Sequence, residues 1–298
     1  MSGVCAWLAS LLPPMLPALL VASCAPAPAP SPHYELGAPY QAGGVWWYPR
    51  VDLRLDERGL AQVYDNGHPG LTADGEAFDQ GAMAGANQTL PLPSIALVTN
   101  LETGRQVRLR INDRGPPTPR RILAVTSRAA VLLGFPPGGV ARVRLQVLEA
   151  DSQTAQAALP GAPSLPIAAA PRDAVATTSL APPPGARGSA GVAQADTQVA
   201  TAPDAGPAMA LRLPETLTQV GPDPGRLWID LGSFPTYEFA NMQRAAVAQL
   251  GATITGEAHG RGETFQVTIG PIDDVAQADR LLDEVVAAGV SDAQIVVR

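Results

Sequence analysis

The chain is 298 residues long, room for two domains plus tails, and its 31 prolines and 29 glycines against 5% aromatic content call for long unpacked stretches. A formal net charge of −7 excludes a general nucleic-acid binder, and every basic residue is an arginine. Both cysteines, Cys5 and Cys24, lie at the N-terminal end, so no disulfide staples a folded region and no cysteine cluster holds zinc or an iron–sulfur centre.

Residues 1–23 carry no charged side chain and run apolar from Val4 to Val21. Pro13, Pro14 and Pro17 interrupt a run that barely reaches spanning length, so a cleaved signal peptide fits better than a permanent transmembrane helix. Val21-Ala22-Ser23-Cys24 looks like a bacterial lipobox, in which Cys24 is lipidated and becomes the mature N-terminus; the alternative is an ordinary leader with an incidental cysteine. Ala25 after it suits an anchor in the outer membrane, on the periplasmic side of the envelope. Residues 24–50 then form a lipidated N-terminus, a Pro/Ala spacer (25–32, APAPAPSP) that stands off the membrane, and a lead-in. Within the lead-in, Val45-Trp46-Trp47-Tyr48 reads as a short strand packing against the next domain, or as an aromatic platform for a sugar.

Residues 51–150 are β-rich. Val107, Leu109 and Ile111 alternate with Arg108 and Arg110, and Val143, Leu145 and Val147 with Arg142, Arg144 and Gln146, as half-buried strands do. Residues 100–104, NLETG, form the turn between the strand around 95–99 and that at 107–111. One short helix spans 127–134, with Ala129, Ala130, Leu132 and Leu133 on its apolar side and Gly134 ending it. A small closed barrel with one or two helices follows.

Residues 151–225 are dominated by Ala, Pro, Thr, Ser and Gly without an apolar period, and read as a disordered linker whose job is reach. Structure resumes at 226–298, an acidic region: a strand at 227–234 (LWIDLGSF), a helix with Phe239, Ala246 and Leu250 on one face, and a strand at 265–271. A second helix follows with Ala278, Leu281, Leu282 and Val285 inward, then a last strand at 293–297.

The chemistry concentrates in residues 90–116, LPLPSIALVTNLETGRQVRLRINDRGP, where Asp113 ends an alternating strand inside a turn of Asn112, Arg114, Gly115 and Pro116. Taken alone, Asp113 is either an acid/base group or a turn-forming Asx residue. The stretch resembles the signature of the rare lipoprotein A (RlpA) family, as does the lead-in 34–49, YELGAPYQAGGVWWYP. That resemblance implies a double-psi β-barrel and endolytic lytic transglycosylase activity on peptidoglycan, with no metal or cofactor. One acid then protonates the leaving glycosidic oxygen while the muramic acid 6-hydroxyl attacks, leaving a 1,6-anhydro end. Asp113 is the implied acid/base. Glu76, in TADGE at 72–76, is its implied partner in the groove, with Asp74 adding a carboxylate where Ser or Asn is usual. Tyr64, Asn87, Asn112 and Arg114 are the candidate substrate contacts, Arg114 in preference to Arg108 and Arg110 on the outward strand face.

The chain departs from the family pattern at four places. Asn87 stands where a segment usually reading AAHRTLP has a second acid/base histidine, and Asn cannot move a proton near neutral pH. Val63 precedes Tyr64 where Trp is usual, Ala124 replaces an aspartate, and Pro117 replaces a phenylalanine, while His68 falls near a family histidine across a short deletion. These changes suggest weakened or abandoned catalysis, or a narrowed substrate; the alternative to the enzyme is a catalytically weakened glycan-binding envelope lipoprotein of the same architecture. Residues 226–298 resemble a SPOR domain, with LGSF (Leu231, Gly232, Ser233, Phe234) and IGPI as hallmark turns. This implies a four-stranded antiparallel sheet with two helices that binds glycan strands lacking stem peptides at the division septum, beside divisome proteins.

Overall fold

The computed structural model describes residues 29–64, 70–137, 139–163, 212–259 and 262–298. The leader, Cys24, His68 and most of the linker lie outside the described residues.

A two-stranded hairpin, β1 (Tyr40–Ala42) and β2 (Val45–Trp47), opens the described chain. Six strands then close a barrel: β3 (Asp56–Val63), β4 (Ala84–Ala86), β5 (Ser94–Asn100), β6 (Arg105–Asp113), β7 (Leu123–Val125) and β8 (Val140–Val147). Around the ring β3 pairs β8, β8 pairs β5, β5 pairs β6, β6 pairs β4, β4 pairs β7, and β7 returns to β3. The β4–β6 and β3–β7 contacts are parallel and the rest antiparallel. This is the mixed closed barrel the resemblance implies, and closure leaves no bare edge.

The alternating residues point where expected. Val107, Leu109, Ile111, Val143 and Leu145 fill the barrel core with Leu90, Leu92 and Leu133. The 100–104 turn is fastened by Asn100, whose Oδ1 accepts from the N–H groups of Glu102 and Thr103 and whose Nδ2 donates to the Leu133 carbonyl. Helix α1 (Ser127–Leu133) is capped by the Thr126 hydroxyl and ended by left-handed Gly134 at φ 72°.

Helix α2 (Glu149–Ala157) extends the fold into the segment read as linker from residue 151. It escaped the sequence reading because no apolar stripe holds it. Two buried polar side chains dock it instead: Ser152 Oγ exchanges hydrogen bonds with the Ile95 N–H and carbonyl, and Gln156 Nε2 donates to Pro93 O. The far end of the linker also returns to the barrel. Leu213 packs on its core, and β9 (Leu217–Gln219) pairs antiparallel with the start of β6.

The C-terminal module runs β10 (Leu227–Phe234), α3 (Tyr237–Ala246), β11 (Thr253–His259), β12 (Gly262–Ile272), α4 (Val275–Ala287) and β13 (Gln294–Val297). Its strands form an antiparallel sheet in the order β11-β12-β10-β13, as implied for a SPOR domain. Ala278, Leu282 and Val285 of α4 face the core as read. The face assigned to α3 differs: Phe239 and Ala246 are exposed, and Ala240 and Val247 are buried instead. A 3-10 turn at Ala248–Leu250 ends the α-helical period early, so Leu250 leaves the register extrapolated from Phe239.

The two modules touch. Val296 of β13 pairs with Gly59 of β3, and Leu60 and Leu101 of the barrel join the C-terminal hydrophobic core. Arg121 grips Asp279 of α4 through two 2.8 Å contacts, and Arg120 pairs with Asp283 one turn on.

Candidate active site

The end of β6 and the loop 72–76 build the site together. Asp113 Oδ1 accepts the Ala73 N–H at 2.9 Å and the Arg114 N–H at 2.8 Å, while the Tyr64 hydroxyl approaches Oδ2 at 3.4 Å. These donors fix the carboxyl, which is 8% exposed. Tyr64 packs edge-on against Phe78 at 4.9 Å. Burial first, and the neighbouring Asp113 second, push its phenol far above its ordinary range, so it stays a hydrogen-bond donor. Tyr64, read from the sequence as a substrate contact, thus lies against Asp113.

Glu76 and Asn112 also meet. Arg110 Nε reaches Glu76 Oε1 at 2.8 Å and Asn112 Nδ2 reaches Oε2 at 2.8 Å. Arg110 Nη2 lies 2.6 Å from Oε1, close enough for ion pairing though not aligned for a second hydrogen bond. Arg110 and Asn112 are two apart on β6 and share a face, which is why both reach one carboxylate. The sequence reading put Arg110 on an outward, solvated face; that face is covered by the 72–76 loop, and Arg110 is buried. Nothing in local periodicity marks a residue whose partner lies 34 positions upstream.

Asp74 completes the loop. It is fully buried, accepts from Thr72 Oγ1 at 2.7 Å and from the Glu76 N–H at 3.3 Å through Oδ1, and its Oδ2 has no partner among the described residues. Burial, then the nearby Glu76 charge, push its carboxyl up to about 7, with Thr72, the Glu76 N–H and Arg110 opposing. Below neutral pH Asp74 therefore keeps its proton while Glu76 pairs with Arg110. Gly75 sits at φ 79°, and a Cβ there would fall 2.3 Å from the Ser31 carbonyl. That close approach seats the end of the Pro/Ala spacer on the loop, with Ser31 N donating to Gly75 O and His33 N to Asp74 O.

Two candidate substrate contacts are occupied elsewhere. Asn87 is 2% exposed; its Oδ1 accepts from the N–H groups of Thr89 and Leu90, and its Nδ2 donates to Ile122 O. It is an Asx turn that joins Asp113 only through the backbone, Asn87 N to Asp113 O at 3.2 Å. Arg114 turns away from Asp113 to clamp the lead-in: Nη1 donates to Leu90 O, and Nη2 donates to Leu36 O at 2.7 Å. In the C-terminal module, Leu231 is core, Gly232 at φ 115° donates to Asp230, Phe234 packs on the core, and Ser233 is exposed.

A cavity of about 360 Å³ opens beside Glu76, Arg110 and Asn112, with Met83 in its lining and Pro32 and Leu213 at its rim. The end of the Pro/Ala spacer and the returning linker thus border the pocket.

Comparison with known proteins gives the lineage. A family described as lytic transglycolase matches residues 56–145, the span of the barrel. The endolytic peptidoglycan transglycosylase RlpA of Pseudomonas aeruginosa is 30% identical over 282 residues, covering 91% of this chain and 80% of that protein. The protein of the same name from Rickettsia bellii is 35% identical over 125 residues, 41% of this chain and 55% of that one. A crystal structure of the RlpA SPOR domain from Pseudomonas aeruginosa aligns with 24% of this chain and 99% of its own at 19% identity, with a TM-score of 0.23. With one relative matched over 91% of this chain and 80% of its own length, and the barrel matched as a lytic transglycolase, the chain belongs to the RlpA family.

Proposed function

We propose that this protein is an endolytic lytic transglycosylase that cuts peptidoglycan glycan strands lacking stem peptides, with Asp113 as its acid and then its base. In this reading Asp113 protonates the leaving glycosidic oxygen as the C1–O bond breaks. The resulting carboxylate takes the proton of the muramic acid 6-hydroxyl as that oxygen bonds to C1, closing the 1,6-anhydro ring. The observation that carries the reading is the Asp113 carboxyl held at the end of β6 by Ala73, Arg114 and Tyr64. Glu76 serves as a positioning charge through Arg110 and Asn112. The same proposal anchors the chain by a lipid on Cys24 to the periplasmic face of the outer membrane and directs it to the septum through the C-terminal module, near division proteins.

A second reading, binding without cleavage, is favoured by Asn87. It stands where the family resemblance calls for a histidine, and its side chain is committed to a turn. Digestion of stem-free glycan strands with the purified protein, scored for 1,6-anhydromuramic ends by mass spectrometry, separates the two. The transglycosylase reading expects such ends from the wild type and a loss of about two to four orders of magnitude in Asp113→Asn. Wild type that binds strands yet yields no anhydro ends leaves the binding reading.

A further inference from the structure

A second cleft lies on the side of the barrel where the aromatic hairpin, β3 and the C-terminal module meet. Its volume is about 530 Å³, within the range of small-ligand pockets. Trp46, Trp47 and Tyr48 form one wall, Glu57 the floor, and Asp292 and Gln294 the C-terminal rim. The hairpin is fixed in place: Tyr40 donates to Gln88 O at 3.0 Å, Arg50 N to Thr89 O at 2.9 Å, and Trp47 Nε1 to Ala42 O at 3.3 Å. Yet Trp46 is 56% and Tyr48 62% exposed, a large open aromatic surface on a rigid support.

The polar groups around these rings are available. Neither the Glu57 carboxyl nor the Gln294 amide has a hydrogen-bond partner among the described residues, and Asp292 accepts only from the adjacent Ser291 hydroxyl at 3.2 Å. Burial pushes the Glu57 carboxyl up, with Arg50 opposing, as for a polar group still lacking a partner. Of the other charges in the cleft, Asp56 is held by Arg144, Arg121 by Asp279 and Arg50 by Asp52, leaving the carboxyls of Glu57 and Asp292. Open rings beside more acceptors than cations suit a ligand with a flat apolar face, many hydroxyl donors and no negative charge.

We infer that this cleft is a binding subsite for a neutral β-linked N-acetylhexosamine glycan, which stacks on Trp46 and Tyr48 and hydrogen-bonds Glu57, Asp292 and Gln294. The subsite rests on the proposed glycan chemistry only for the sugar class, and takes the neutral N-acetylglucosamine units of a strand rather than its muramic acids, whose free lactyl carboxylates the acidic cleft repels. It bridges the two modules, so an occupied cleft holds the C-terminal module on the barrel.

The test is titration of the full chain with chitotetraose, followed by calorimetry and tryptophan emission. This ligand lacks muramic acid, so its binding is scored independently of any anhydro product. Saturable binding is expected, weakened about tenfold or more by Trp46→Ala and by Tyr48→Ala, and several-fold by Asp292→Asn in the other module. Trp46→Phe, which keeps a ring on an intact hairpin, restores affinity to within about threefold of wild type. Absence of saturable binding, or binding unchanged in both alanine variants, overturns the proposal whatever the transglycosylase assay gives.

Discussion

Asp74→Asn isolates the proton that the site holds. Unfolded, Asp74 titrates at its ordinary 3.8; folded, it is pushed up to about 7 by burial and the Glu76 charge. Between those values the native chain keeps a proton that the unfolded chain has released. The stability linked to this group is therefore complete below the lower value and drains away as pH rises to the upper one. Asn mimics the protonated acid, keeping an acceptor for Thr72 Oγ1 and the Glu76 N–H and placing an uncharged group where Oδ2 has no partner. At ~1.4 kcal/mol per pH unit, the stability of the Asn variant relative to wild type should rise by about 3 kcal/mol between pH ~5 and pH ~7, then level off. Hydrogen exchange at the β5–β6 amides reads barrel opening separately from the C-terminal module and measures the difference at each pH. A difference that does not change with pH would refute the charge assignment within the loop.

Two further outcomes follow from the same contacts. Arg110→Ala strands the buried Glu76 carboxylate beside Asp74 and should cost about 3–5 kcal/mol in barrel stability, measured by urea unfolding. Arg120→Ala with Arg121→Ala removes both arginine contacts to α4 and should loosen the C-terminal module without unfolding either core, seen as an increased radius of gyration in small-angle scattering. The buried, two-pronged Arg121 contact carries most of that effect, since the Arg120–Asp283 pair is exposed and screened.

Where a residue's role is set by its own strand or turn, the sequence was enough to read it. Val107, Leu109 and Ile111 announce their inward face by alternation, and Gly134 announces the end of α1 by the left-handed turn it permits. Where a partner distant in sequence decides the role, local pattern misleads. Arg110 looks like its neighbour Arg108, yet a loop folding back over it turns it into the buried counterion of Glu76. Helix α2 has no hydrophobic stripe to betray it, because serine and glutamine do its docking. Asp113 and Glu76 were legible as a pair of carboxyls near one groove. That one is oriented by backbone donors and the other neutralised by an arginine was not, since both facts depend on the closure of the barrel.

The same long-range contacts change what the Ala/Pro-rich segment does. Read as a linker, residues 151–225 would set how far the C-terminal module ranges from the barrel. Both described ends of that segment are fastened to the same barrel, at α2 against β5 and at β9 against β6, so its length does not separate the modules. Their spacing is set by Arg121 and Asp279 and by the shared core at Leu60 and Leu101. The other end of the barrel obeys the same logic. Arg114 and Gly75 seat the chain that precedes the barrel as far back as Ser31. Barrel, N-terminal segment and C-terminal module therefore meet a glycan as one unit.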